Sequence, residues 1–145
     1  MEGIERIFVD SNYFIGLFNP LDALHERAIT IAREIETKQI PLAISNLIFL
    51  ETVTILSQRG GRPIAIRGGQ YFFDDPNMKI VHIDEQLQRD SWTVFQEVEK
   101  KDVSFVDCST VAAMRAEGVR TLLTFDRAHF MPLSRRYRFK IFEAS

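Results

Sequence analysis

Short apolar runs alternate with helical stretches along almost the whole chain, and this alternation constrains the fold more than any other feature. Five apolar runs are typical of buried strands: Ile7–Val9, Pro41–Ile44, Lys79–Ile83, Thr121–Phe125 and Phe139–Phe142. Strands separated by helices pair in parallel, because each helix carries the chain back along the sheet. The sequence therefore predicts an α/β fold with a mainly parallel sheet and helices on both faces.

The segments between these runs carry helical periodicity or capping residues. Asp10-Ser11-Asn12 is typical of a strand that enters a helix, and Gly118 stands where a left-handed C-terminal residue is expected. Asp84 and Asp107 are placed to cap two of the helices, and Gly68-Gly69 interrupts another. Five further helices are predicted over residues 22–38, 46–57, 63–73, 84–99 and 107–116.

Composition limits the architecture and the class of function. A chain of 145 residues with 46% apolar residues can build one core, so a single domain over 1–145 is expected. No apolar segment reaches the ~20 residues that span a bilayer, which predicts a soluble protein without a membrane span. Met1–Arg6 lacks the features of a secretory signal and Cys108 has no disulfide partner, which favours a cytoplasmic location.

The net charge of −2 argues against nucleic-acid binding through bulk positive charge. It leaves room for a nuclease whose metal ions supply the positive charge at the phosphate. Two groups of arginines are expected to border such a site or else to form ordinary solvated surface. These are Arg59, Arg62 and Arg67 around Gly60-Gly61, and Arg135, Arg136 and Arg138 near the C-terminus.

Three acidic residues are predicted to meet at one edge of the sheet. Asp10 follows the first strand, Asp126 follows the fourth, and Asp107 opens a helix that starts near the same edge. In open parallel sheets the functional crevice lies beyond the carboxyl ends of the strands. These three carboxylates should therefore converge there.

Glu51 is the most informative acid because its helix is apolar on nearly every side and is predicted to be buried. Burying a carboxylate is costly without a cation or hydrogen-bond donors, and this helix has no Lys or Arg within one turn of Glu51. Mg²⁺ and Mn²⁺ prefer oxygen ligands and can activate water for phosphodiester hydrolysis. The acids together indicate a metal-dependent hydrolase.

Each acid also has an ordinary structural interpretation. Asp10 and Asp107 are suitable helix N-caps, Asp126 is suitable for a turn, and Glu51 could pair with a distant arginine. Those interpretations would require all four to fall near one crevice by coincidence.

Four segments make the chain resemble the PIN-domain family over nearly its full length. They are Ile7–Asn12, the helix Asn46–Leu56, Ser104–Ser109 and Thr121–Asp126. The resemblance implies a three-layer α/β/α sandwich, one or two Mg²⁺ or Mn²⁺ ions, and endonucleolytic cleavage of RNA. It implies that the catalytic, metal-binding acids are Asp10, Glu51, Asp107 and Asp126. It also implies that Ser11, Asn12 and Thr124 help to orient ligands or water.

Within this family the short chain most resembles VapC-type toxins, which implies a small antitoxin as partner and a homodimer. The apolar stretch Ile64–Phe73 suits either a dimer interface or ordinary core packing. Two alternatives remain open within the family: an RNA-processing nuclease without an antitoxin, and a non-catalytic module that binds RNA or protein.

Other candidate residues and enzyme classes fit less well. Cys108 is interpreted as a small buried residue rather than a nucleophile, and Asp102 as a solvated loop acid or a member of the acidic rim. His25, His82 and His129 lack metal-binding spacing, and His82 is interpreted as a structural strand residue. A haloacid-dehalogenase-type phosphotransferase needs a second Asp where Asn12 stands. A response-regulator receiver would leave Glu51 unexplained.

Overall fold

The computed structural model describes residues 4–145, so Met1–Gly3, part of the stretch interpreted as lacking a secretory signal, lie outside it. The first half contains β1 (Ile7–Val9), α1 (Ser11–Phe18), α2 (His25–Lys38), β2 (Leu42–Ser45), α3 (Asn46–Gly60) and α4 (Arg62–Asp74). The second half contains β3 (Met78–Val81), α5 (Glu85–Glu97), α6 (Phe105–Glu117), β4 (Thr121–Leu123), α7 (Arg127–Tyr137) and β5 (Lys140–Ile141). No helix between residues 4 and 145 is both long and apolar enough to cross a membrane.

The five strands form one sheet in the order β3-β2-β1-β4-β5, and every pairing is parallel. The chain builds outward from β1 to β3 and then returns to add β4 and β5 on the other side. Helices α1–α4 pack on one another, as do α5–α7. Since crossovers between parallel strands are right-handed, the two groups lie on opposite faces of the sheet. The predicted three-layer α/β/α sandwich is confirmed. Its strand order reverses between β1 and β4, where such sheets bind ligands.

Several predicted element boundaries are wrong, for local reasons. α6 begins at Phe105 with Ser104 as its N-cap, so Asp107 is the third helical residue and not the cap. The Ser104 hydroxyl accepts from the Asp107 N–H at 3.1 Å, and the Asp107 carboxylate accepts from the Ser104 N–H at 3.0 Å. This reciprocal capping box supersedes a cap at Asp107. β4 ends at Leu123 and α5 at Glu97, each two residues earlier than predicted.

Helix α3 is less buried than its apolar sequence predicts. Only Ile48, Thr52 and Leu56 are fully buried along it, and Leu50 is 61% exposed. α3 packs mainly against α1 and α4, with smaller contacts to β2 and α6, and Leu50 projects into solvent. The predicted interruption at Gly68-Gly69 is wrong, because α4 runs through both glycines. A Cβ at Gly68 would lie 2.8 Å from Leu56 Cδ1. Glycine therefore serves the close approach of the two helices.

Helix α7 is absent from the sequence prediction, which recognised only the strand after it. Pro132 lies inside this helix and has no N–H to donate to the carbonyl of Ala128, one turn earlier. The Lys100 ammonium donates to that carbonyl oxygen at 3.0 Å instead. A residue 28 positions away in sequence thus compensates for the proline.

Candidate active site

Asp10 stands at the reversal point of the sheet. Its N–H donates to the Leu123 carbonyl at 2.9 Å, which joins the ends of β1 and β4. Its carboxylate caps α1 by accepting from the Ser11 N–H at 2.8 Å and also accepts from the Thr124 hydroxyl at 2.8 Å. The residue is only 6% exposed. Asp10 is therefore an N-cap, as one interpretation predicted, and also the buried acid of the crevice.

Asn12 and Thr124 hold the surroundings of Asp10 in place. The Asn12 side-chain amide donates to Thr124 Oγ1 at 3.3 Å and accepts from the Phe125 N–H at 3.1 Å. The Asp126 N–H donates to the same Thr124 oxygen at 3.0 Å. The turn after β4 is thereby tied to the start of α1.

Glu51 lies on the other side of Asp10, where its carboxylate accepts from the Ser11 hydroxyl. Among the described residues Glu51 forms no ion pair, so the alternative of a distant arginine partner is not supported. Ser11 thus links an acid of α3 to the N-terminus of α1.

The acids influence one another electrostatically. Burial, together with the negative charges of Asp107 and Glu51, raises the pKa of Asp10 to about 7, even though hydrogen bonds from Thr124 and Ser11 lower it. Burial also raises the pKa of Asp107, opposed by its bonds to Ser104 and by His129. Asp10, Glu51 and Asp107 therefore form one negative cluster in which full ionisation is unfavourable without a cation.

Asp126 lies at the margin of this cluster and is held by His129, a residue to which the sequence interpretation assigned no role. His129 Nδ1 is 2.6 Å from Asp126 Oδ2 and 3.9 Å from Asp107 Oδ2, and Nε2 is 3.0 Å from Asp102 Oδ2. The three-residue spacing of Asp126 and His129 signals one of these contacts, whereas the others depend on how α7 packs. Asp102 joins the acidic rim through this ring.

The other candidate residues have no part in the cluster. Cys108 is fully buried, and burial raises the pKa of its thiol to about 11, so it is a structural residue. His82 lies one residue beyond β3 and is exposed, so its assignment as a structural strand residue is wrong. The His25 ring contacts the Gly16 carbonyl.

The chemistry of the cluster suits a hard divalent cation, because the facing side chains offer oxygen donors and bury negative charge. No three His, Cys, Asp or Glu side chains within residues 4–145 are already grouped as ligands of one ion. Hydroxyl, backbone and imidazole groups engage the carboxylates in this arrangement. A bound cation would replace some of these contacts.

Most of the arginines expected to border the crevice lie at or near the ends of helices. Arg59 follows Glu51 by eight positions on α3, about 12 Å along the helix axis, and Arg135 follows Asp126 by nine on α7, about 13 Å. Arg136 donates to the Glu97 carbonyl at 3.1 Å. These placements favour the alternative of ordinary surface.

Comparison with known proteins gives consistent relatives. The family model described as PIN domain matches residues 7–131. The 23S rRNA-specific endonuclease VapC20 from two strains of Mycobacterium tuberculosis is 28% identical over 120 residues, covering 83% of this chain and 88% of the relative.

Solved structures show the same fold. The crystal structure of Mycobacterium tuberculosis VapC20, a sarcin-ricin loop cleaving toxin, matches with a TM-score of 0.75 and 25% identity, over 87% of this chain and 94% of that one. A toxin-antitoxin complex from Klebsiella pneumoniae has a TM-score of 0.60 at 16% identity, covering 86% and 89%. FitAcB from Neisseria gonorrhoeae has a TM-score of 0.65 at 14% identity, covering 94% and 96%. The resemblance to VapC-type proteins is confirmed, and the chain belongs to the PIN domain family.

Proposed function

We propose that this chain is a Mg²⁺- or Mn²⁺-dependent endoribonuclease and the toxin of a toxin-antitoxin pair. The observation that carries the proposal is the buried Asp10 carboxylate, which faces the charges of Glu51 and Asp107 at the reversal of the sheet. Within residues 4–145 these three acids form no ion pair with a lysine or an arginine. A divalent cation is the natural partner for such a cluster.

In this proposal Asp10, Glu51 and Asp107 hold the cation, and Asp126 completes the set from the margin. When bound, the cation would activate water and offset charge on the phosphate. Ser11 and Thr124 keep the Glu51 and Asp10 carboxylates oriented, and Asn12 fixes the turn that carries Asp126. His129 restrains the Asp126 side chain, which remains 35% exposed and can be reached by an approaching water or phosphate.

RNA is the proposed substrate because the VapC20 relative is a 23S rRNA-specific endonuclease and a sarcin-ricin loop cleaving toxin. A sarcin-ricin loop RNA is therefore the first substrate to test. Sequencing the 5′ ends of RNAs cut after controlled expression would identify the sites that this chain cleaves.

The substitution Asp107→Asn tests whether Asp107 binds the metal or is only a structural acid. Asn keeps an oxygen that can accept the hydrogen bond from the Ser104 N–H. We expect cleavage to fall by more than about 100-fold, the upper range for losing a group that only supports a metal ligand. Magnesium should raise the melting temperature of the parent more than that of the variant, since it binds the folded parent more tightly. With EDTA the variant should be at least as stable as the parent, because one repelling charge is gone.

Asp84→Asn is the matched control, since Asp84 caps α5 at 2.9 Å from the Leu87 N–H and is exposed. It should retain parental cleavage and the parental magnesium shift. An active Asp107→Asn protein whose magnesium-dependent melting shift is unchanged would sink the assignment of this residue.

We also propose a small antitoxin partner, a homodimer and a cytoplasmic location. A toxin-antitoxin complex among the solved structures of this fold supports the partner. Exposed apolar side chains on α3 and α4 support a further interface: Leu50 is 61%, Ile66 61% and Phe73 65% exposed. Light scattering should show a dimer at micromolar concentration, and native purification should retain a small companion protein. A monomer purified without a companion would instead favour a PIN nuclease that acts without an antitoxin.

A further inference from the structure

A groove of about 430 Å³ lies beside the acidic cluster, at the end of the sheet where β4 and β5 stop. Arg27 and Thr30 of α2 line one side, and Arg127 and Glu143 line another. Thr124 and Phe125 also line it. Thr124 connects this groove to the proposed cleavage site, because its hydroxyl donates to Asp10 at 2.8 Å.

Arg27 is held in this groove by an aromatic ring. Its guanidinium carbon lies 4.8 Å from the centroid of Phe125, and the Phe125 backbone is fixed by the 3.1 Å hydrogen bond to Asn12. Stacking orients a guanidinium without using its N–H donors, so these remain free for an anion. Phe125, whose ring holds Arg27, thus directly follows Thr124 in the sequence.

The charges around Arg27 differ from those around the neighbouring Arg127. Arg127 pairs with Glu143 at 3.3 Å, which offsets its charge. Arg27 is exposed and, within the described range of the chain, forms no ion pair with a carboxylate. In a protein of net charge −2, this leaves an oriented, uncompensated cation beside an acidic cluster.

We infer that Arg27, supported by Phe125, binds a phosphate of single-stranded RNA next to the scissile one. This inference rests on the proposed function, because it places the cleaved phosphate at the acids and an adjacent one in the groove. A fork of N–H donors matches two phosphate oxygens, and a contact of this kind positions the strand without reading its sequence.

The test measures binding of a short single-stranded RNA to full-length protein carrying Asp107→Asn, with magnesium, across a salt titration. Adding Arg27→Ala should weaken binding about 10-fold, the size of one charge-assisted contact. The slope of log affinity against log salt should become shallower by about 0.7, as expected for one phosphate contact to a single strand. Arg27→Lys should keep the parental slope and lose part of the affinity, because an ammonium has neither the fork nor the planar stacking surface.

Arg33→Ala is the matched control, since Arg33 is an exposed arginine on the same helix, six positions beyond Arg27. It should leave affinity and slope close to those of the starting protein. Equal effects of Arg27→Ala and Arg33→Ala would overturn the inference, as would an Arg27→Ala protein with unchanged affinity. Melting curves of each variant establish that it is folded when its binding is measured.

Cleavage by the parent protein is scored separately, so the two ideas fail in different ways. A parent that cleaves RNA, combined with unaltered binding by Arg27→Ala, overturns the phosphate subsite and leaves the proposed function standing. A parent that cleaves no RNA with Mg²⁺ or Mn²⁺, combined with selective weakening by Arg27→Ala, overturns the nuclease and supports the RNA contact.

Discussion

The two sides of the acidic cluster are built differently. On the side of β1 and α3, Asp10 and Glu51 bond to the hydroxyls of Thr124 and Ser11, and Asp10 is almost completely buried. On the side of α6 and α7, the side chains of Asp107 and Asp126 are 15% and 35% exposed and face the ring of His129. The first side has neutral partners and buries Asp10, whereas the second, the wetter side, is partly exposed at Asp126 and has a partner that can carry charge.

This difference indicates which acids depend most on a bound cation to stabilise their negative charge. Water and imidazole can stabilise negative charge at Asp107 and Asp126, whereas at Asp10 only dipoles do so. We therefore expect the electrostatic cost of the metal-free state to be concentrated on the buried side.

Asp10→Asn should reveal that cost most strongly. The pKa of Asp10 is about 7 in the folded protein and 3.8 as the ordinary value, so the folded state binds more protons between these limits. The contribution of Asp10 to the parent's free energy of unfolding is therefore fully present below pH 4 and is lost as the pH rises through 7. Asn carries no charge. With EDTA, the free energy of unfolding of the variant should therefore rise relative to that of the parent across this pH range, by up to about 4 kcal/mol. Urea denaturation at pH 4 to 8 measures the difference.

Asp126→Asn is the control from the wetter side. Its exposed fraction of 35% predicts a much smaller gain over the parent, and Asn preserves the cap at the His129 N–H. If the two variants gained equally with rising pH, the contrast between the sides would be wrong. If neither gained, burial would not be what sets the titration of Asp10.

The convergence of Asp10 and Asp107 was predictable from sequence, because the ends of parallel strands and the starts of the following helices meet at the carboxyl edge. Glu51 was identified differently, from the apolar character of its helix, and Asp126, expected to converge with the others, lies at the margin of the cluster. The incomplete burial of α3 could not be predicted, since apolar residues such as Leu50 stay exposed when no neighbouring element covers them. Periodicity cannot show which elements become neighbours.

Helix α7 and His129 were missed for a related reason. Pro132 argues against a helix locally, and the lysine that satisfies the freed carbonyl comes from a distant loop. His129 gains two of its three carboxylate contacts from residues 22 and 27 positions away. Local sequence shows only the contact with Asp126, which is three positions away.

The smallest predicted contrast concerns the serine caps on the two sides. Ser45 is fully buried and accepts from the Ile48 N–H at 3.0 Å, whereas Ser104 is exposed and accepts from the Asp107 N–H at 3.1 Å. Removing either hydroxyl removes a helix cap, but water can replace only the exposed one.

Ser45→Ala should therefore lower the free energy of unfolding by about 2 kcal/mol and Ser104→Ala by about 1 kcal/mol. Thr93→Ala, which removes an exposed hydroxyl bonded to the Arg89 carbonyl on α5, measures the background of such a change. Urea melts of the three variants with EDTA give the comparison free of any metal effect. A larger loss at Ser104 than at Ser45 would mean that the capping box stabilises the α6 side beyond its local hydrogen bonds, because it also orients Asp107 within the cluster. The wetter side would then be the more tightly constrained of the two.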